Sequence, residues 1–77
     1  MEIEYSKHWL RKHLQKRKDI TRDMIEFAIK NSNELRDKLW NDAFNAISRI
    51  PPSGKILKVV YKKLKEKVFI VTAYWLD

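Results

Sequence analysis

His8 and His13 are the side chains of this chain whose ordinary pKa lies near neutrality, for it holds two His and no Cys. Imidazole moves protons at physiological pH, so these two residues come first in any search for chemistry. They stand five positions apart, about 140° around a helix, and so diverge where an i,i+4 pair would converge on one metal ion. With no thiolate available, two His alone cannot complete a closed zinc site, and neither a metal nor another cofactor is expected. The helical wheel separates the pair. His13 shares an apolar stripe with Trp9, Leu10 and Leu14, which suits a core or boundary imidazole. His8 lies opposite, among Arg11, Lys12 and Gln15. Such a face can hold a phosphate while an imidazole shuttles a proton, and it can equally be a solvated basic helix face.

Two further sites deserve the same double reading. Lys58 shares a strand face with Ile56 and Val60, where an inward charge blunts a sheet edge or meets a phosphate. Tyr61 and Tyr74 read as core or rim aromatics before they read as catalytic phenols, because a 77-residue chain needs its aromatics for a core.

Charge narrows the partners. Lys and Arg number 17 against 10 Asp and Glu, a net +7 that favours polyanions such as nucleic acid or an acidic protein. One acid-free run holds Lys7, Arg11, Lys12, Lys16, Arg17 and Lys18; a second holds Lys55, Lys58, Lys62, Lys63, Lys65 and Lys67, broken only by Glu66. Basic and aromatic residues together permit stacking and phosphate contacts to single-stranded RNA, although no RNP or Gly-x-x-Gly motif is present. The absence of a Gly-rich phosphate loop excludes P-loop nucleotide hydrolysis. No run of 18 apolar residues exists and the opening MEIEYSKHW has no signal-peptide character, so a cytoplasmic chain without a membrane span is expected.

The elements that must position these groups fit one domain at this length. Residues 1–5 alternate apolar and acidic, as a short edge strand with Ile3 and Tyr5 inward. Ser6 caps a helix predicted over 7–18. Thr21 caps a second helix to about Lys30, with Ile20 and Ile25 at the spacing of a hydrophobic staple and Asn31-Ser32-Asn33 as its stop. Over 34–50, Leu35, Leu39, Ala43, Phe44 and Ile47 fit an amphipathic helix better than a strand. Pro51-Pro52-Ser53-Gly54 forces a turn, and 56–61 with 68–75 form a β-hairpin. On the last strand Phe69, Val71, Ala73 and Trp75 share one face and Val68, Ile70, Thr72 and Tyr74 the other, both partly covered, as in a central strand.

Tyr-Ser-Lys-His8, Arg17-Lys-Asp-Ile20-Thr, Ile-x-x-Ala-Ile29, Gly54-Lys-Ile-Leu-Lys-Val-Val-Tyr61 and Val68-Phe-Ile-Val-Thr72-Ala-Tyr74-Trp75 together resemble a small family of archaea, bacteria and phages in the BrnT and RelE toxin-like group. The resemblance implies an α+β fold in which a short N-terminal strand and two helices pack on a small antiparallel sheet, and it turns 43–50 into a strand. It further implies a relative of metal-independent ribonuclease toxins, held inactive by an acidic antitoxin protein. On that resemblance His8 matches the opening His, Arg17 the Arg before the second helix, Thr72 and Tyr74 the final strand, and Arg49 and Lys58 looser positions. The chain departs from the pattern where Arg17-Lys18-Asp19-Ile20 replaces Arg, one Gly and Ile, and in extra residues after His8. The register of Arg11, Lys12 and Lys16 shifts with them.

Two functions follow as expectations. In the first, a basic surface holds RNA, His8 or Tyr74 takes the 2′-hydroxyl proton, and Arg17 with Arg49 or Lys58 stabilises the pentavalent phosphate. In the second, a non-enzymatic module binds nucleic acid or an acidic partner through its two basic runs, Arg11 and Lys12 among them.

Overall fold

Ser6 shows how local chemistry and tertiary structure are joined in this chain, which a computed structural model describes over residues 2–32, 34–36 and 42–76. It follows strand β1 (Glu2–Tyr5), takes an extended conformation, and its hydroxyl accepts the Trp9 N–H at 3.0 Å, starting helix α1 (Lys7–Gln15). The same hydroxyl donates to Val71 O at 2.7 Å and the Ser6 N–H donates to Ile70 O at 2.9 Å, tying the helix start to the last strand. Ser6→Ala removes a cap and leaves a strand carbonyl short of a donor, so it should cost about 1–2 kcal/mol. Urea unfolding of the variant beside the parent reads this directly; a difference under about 0.3 kcal/mol would show water replacing the hydroxyl at both ends.

Helix α1 stops at Gln15, short of the predicted 18, and both Lys16 and Arg17 donate to Lys12 O, at 2.8 and 3.1 Å. No apolar residue between Gln15 and Asp19 could anchor another turn, whereas Ile20 is fully buried and draws the chain back to the core. The apolar stripe also proves narrower than its spacing suggests. Trp9 is 3 % exposed and His13 half-buried, but Leu10 and Leu14 are 44 % and 68 % exposed. Helix α2 (Arg22–Asn31) follows expectation: Thr21 accepts the Met24 N–H at 3.2 Å, Asp23 sits in the first turn, and Ile20 and Ile25 are both fully buried.

The helix that periodicity suggests over 34–50 is corrected, and the strand that the resemblance implies over 43–50 is present. Strand β2 (Leu35–Arg36) and strand β3 (Ala43–Ile50) occupy its described part; Leu39 lies outside the described residues. Strand β3 pairs along its whole length with β4 (Lys55–Leu64) and buries Ala46 and Ile50 against the helices. Those contacts outweigh a helical spacing that would have inwardly grouped Leu35 and Ile47, which are 54 % and 37 % exposed. The intervening turn places Gly54 at φ 79°, a conformation glycine adopts without a Cβ penalty, and its N–H donates to Ile50 O at 2.9 Å.

Strand β5 (Lys67–Trp75) completes an α+β fold with the sheet order β1-β5-β4-β3-β2. The sheet is mixed, since β1 runs parallel to β5 while the other three pairings are antiparallel. As predicted, β4 and β5 form a hairpin and β5 is an interior strand.

The faces of β5 are not the ones strict alternation gives. Val60 pairs with Thr72 but Tyr61 pairs with Ile70, so Val71 is an extra, bulged residue. Beyond the bulge parity reverses. Ile70 and Val68 join Ala73 and Trp75 on the helix side, where Leu57, Val59, Tyr61, Ala46 and Ile50 also pack, while Phe69, Thr72 and Tyr74 share the opposite face. Ile3 and Tyr5 pack against the core from β1, as expected.

Candidate nucleic-acid interface

The sheet face opposite the helices carries Arg49 and Ile47 from β3, Lys58 and Lys62 from β4, and Thr72 and Tyr74 from β5. Register fixes this arrangement: Lys58 lies between Ile47 and Tyr74, and Arg49 is diagonal to Lys58, about 7–8 Å away by strand geometry. One part of the face, at Ala43, Asn45 and Val60, is itself buried. The strip holding Lys58, Thr72 and Tyr74 keeps partial solvent access.

Arg17 reaches this strip from the helix layer. Strand β1 pairs with β5 only over Lys67–Ile70, which leaves the edge beyond it open. Arg17 fills that edge: its Nη1 donates to Thr72 Oγ1 at 3.1 Å and to Ala73 O at 3.2 Å, and its guanidinium carbon stands 5.6 Å from the Tyr74 ring centre. The Lys58 ammonium stands 5.7 Å from the same ring. Each contact is a cation–π attraction of about 0.5–1 kcal/mol at a partly exposed site. Two cations on one ring also repel each other, and an anion bound across them relieves that repulsion. A guanidinium has five N–H donors, so the two bonds from Nη1 leave donors for a phosphate oxygen.

The remaining predicted residues separate. Arg49 is exposed and closes its own turn, with Nη1 donating to Gly54 O at 3.0 Å, yet it stands on the same sheet face as Lys58. His8 is exposed near the start of α1, and among the described residues no side-chain hydrogen bond, ion pair or ring contact joins it to Arg17 or Tyr74. Along the helix axis it lies about 12 Å from the cap Lys16 that precedes Arg17. Arg11 and Lys12 belong to α1, which packs on the other side of the sheet through Trp9. Of the expected trio His8, Arg17 and Tyr74, a contact joins Arg17 and Tyr74, with Lys58 beside them.

Lys62 stands on this face too: the alternation Lys58-x-Val60-x-Lys62 puts it beside Lys58, although the run of lysines around it occupies both strand parities and so does not single it out.

His13 tilts against Trp9 with ring centres 5.3 Å apart, the boundary role expected of it. Tyr61 is 2 % exposed, and its hydroxyl donates to Glu34 at 2.8 Å; burial first, then that bond, push its phenol well above the ordinary range. It therefore serves structure. Trp75 is half-buried and donates from its indole to Asp19 at 2.9 Å. Among the described residues no three His, Asp or Glu side chains gather as metal ligands, and no helix is long and apolar enough to cross a membrane.

The Glu34 network yields a pH prediction. Its carboxyl is held below the ordinary value, first by the hydrogen bond from Lys63 at 2.7 Å and then, against burial, by the Tyr61 hydroxyl. A depressed carboxyl stabilises the fold above its unfolded-state pKa and loses that contribution as pH falls through the folded-state one. Glu34→Gln should therefore lower the urea midpoint slightly at pH 7, by a difference that shrinks as pH falls below the ordinary carboxyl range, the effect being small because the pair is partly exposed. A midpoint difference that persists at acid pH would assign the loss to packing.

Comparison of the chain with protein-family models, with curated proteins and with solved structures finds no match.

Proposed function

We propose that this chain is a basic module that binds single-stranded RNA along the sheet face opposite its helices, Lys58 and Arg17 meeting phosphates and Tyr74 offering a stacking surface. The observation that carries this reading is the Tyr74 ring flanked by the Arg17 guanidinium and the Lys58 ammonium on that face. Arg49 and Lys62 extend the same charge along the sheet. The net charge of +7 supplies the long-range attraction.

Metal-independent cleavage of the bound strand, the activity implied by the toxin-like resemblance, is the second reading, and the Arg17–Tyr74 contact favours it. In that reaction the Tyr74 hydroxyl relays the 2′-hydroxyl proton, accepting it while passing its own proton to a phosphate oxygen; the 2′-oxygen attacks the phosphorus, Arg17 and Lys58 stabilise the pentavalent phosphate, and the P–O5′ bond breaks as that proton moves to the leaving 5′-oxygen, leaving a 2′,3′-cyclic phosphate. Tyr74 rather than His8 carries the proton in this scheme because its ring is in contact with both Arg17 and Lys58.

Labelled single-stranded RNA incubated with the protein in EDTA, at low and moderate salt, tests both readings. Salt-sensitive binding by anisotropy that survives in His8→Ala is the expected result, and intact RNA on a gel then marks a binding module. Cleavage abolished by Tyr74→Phe assigns the ribonuclease. Absence of RNA binding at low salt, or its loss in His8→Ala, overturns the proposed face.

A further inference from the structure

We infer that two copies of this chain join through the free edge of β3, antiparallel about Ser48, with α2 of each copy laid beside α2 of the other. The pairing is independent of the RNA reading. Strand β2 covers the outer edge of β3 only at Phe44 and Asn45, and among the described residues no strand pairs with that edge from Ala46 to Ile50. The main chain of that stretch is thus open to another strand. The opposite margin of the sheet is guarded: β1 is short, with Glu2 and Glu4 exposed, and Arg17 fills the edge of β5 beyond it. From Ala46 to Ile50 the sole charge is Arg49, whose guanidinium donates to Gly54 O at 3.0 Å.

Helix α2 lies over this edge and supplies the second half of the contact. A cleft of about 180 Å³ is lined by Asp23, Met24, Phe27, Ile50 and Pro51, which sets the start of the helix beside the end of β3. The chain leaving the helix enters β2 beside Asn45, so α2 runs opposite to β3. Asp23, Phe27 and Lys30, at i, i+4 and i+7, share a helix face and are all exposed, Phe27 by 37 %. A two-fold axis at Ser48 reverses this stripe: Asp23 of one copy meets Lys30 of the other, and the two Phe27 rings meet between them. The stripe is thereby complementary to itself, the condition for an isologous interface.

Charge favours a second copy over other occupants. The chain carries +7, but α2 balances Arg22 and Lys30 with Asp23 and Glu26. Asp23 enters none of the ion pairs among the described residues, which are Lys30–Glu26, Lys63–Glu34 and Lys67–Glu4. The Lys30 ammonium, 2.9 Å from Glu26, keeps further donors for a carboxylate of the other copy. RNA has no strand to add here and would face both carboxylates of α2. A peptide of one charge sign would satisfy one end of the stripe and be repelled at the other. Charge also decides the register. Pairing Ser48 with its copy uses the whole of the free edge and sets Ile47, 37 % exposed, opposite Arg49, whose stem covers it. A register centred on Arg49 would oppose two guanidiniums, and one centred on Ile47 would run into β2 at Asn45.

One strand pair and one helix pair make a small interface, near the lower limit of about 1,200 Å² for stable complexes, so association should be reversible with a Kd of about 10–100 μM. Sedimentation equilibrium of the whole chain without RNA should show monomer and dimer exchanging over that range. Dilution should move the amide NMR signals of Ala46 to Ile50 and of Phe27. Asp23→Lys and Lys30→Glu, both at exposed sites, should each weaken the dimer by about tenfold or more, because the two-fold axis doubles each repulsive contact. Asp23→Lys combined with Lys30→Glu restores opposite signs across the axis and should recover dimerisation, whereas damage to the helix alone would be worst in the double variant. Circular dichroism checks that each variant is folded, and the dilution shifts of the parent decide the matter without any variant. A monomer at every concentration up to about 1 mM, shifts centred on Lys58 and Tyr74, single variants that dimerise as the parent does, or a double variant no better than the single ones would each overturn the inference.

Discussion

Leu57→Ala is expected to remove about 3 kcal/mol of stability and to leave a population of unfolded chain detectable at 37 °C. Leu57 is fully buried in β4, on the helix side of the sheet, between Ser48 of β3 and Trp75 of β5 in register. Truncation there deletes the transfer free energy of the missing atoms and opens a cavity that paired strands on either side cannot collapse into, which places it in the usual 2–5 kcal/mol range for Leu→Ala. The whole domain has little more to give: at about 0.05–0.15 kcal/mol per residue, 77 residues are worth about 4–12 kcal/mol. Ile47→Ala, on the other face and 37 % exposed, removes the same number of carbon atoms from a wetter site and should cost about 1 kcal/mol. Urea unfolding followed by tryptophan fluorescence compares the two. Equal losses would mean that the face opposite the helices is as tightly packed as the core, and with it the open strip on which RNA binding depends would disappear.

The same asymmetry of faces explains what the sequence could and could not reveal. Caps and staples are local, and Ser6, Thr21, Ile20 and Ile25 performed the roles their spacing predicts. The β4–β5 hairpin was equally legible because its residues are β-branched and aromatic on both sides of a charged turn. Strand β3 was not legible from spacing, which suits a helix, and only the resemblance pointed to a strand over 43–50; pairing with β4, a contact invisible to local periodicity, is what decides it. The bulge at Val71 has no sequence signature at all, yet it sets which side of β5 Phe69 faces. For the site, Arg17 and Tyr74 meet as expected because both are bound to the free edge of one strand. No side-chain contact joins His8 to them: it is exposed on α1, and helical position alone does not say which strand residues it meets.

Lys58→Glu is expected to weaken binding of single-stranded RNA by about tenfold to a hundredfold at low salt, the equivalent of one lost charge-assisted phosphate contact with repulsion added. The neutral variant Lys58→Gln separates the two contributions: it should make the dependence of log K on log salt shallower by about 0.7, the share of one phosphate on a single strand. Tyr74 provides an independent axis. Tyr74→Phe keeps the ring that both cations touch and should bind RNA as the parent does, whereas Tyr74→Ala loses stacking worth about 1–3 kcal/mol per base. Lys30→Gln is the control, since Lys30 lies on α2 and pairs with Glu26 away from the sheet face. The competing account of Lys58 is that its charge merely sits on Tyr74 and blunts the sheet. That account predicts a small stability change in Lys58→Glu with RNA affinity and salt slope both unmoved, so anisotropy titrations at several salt concentrations decide between a cation that serves the fold and one that serves a ligand.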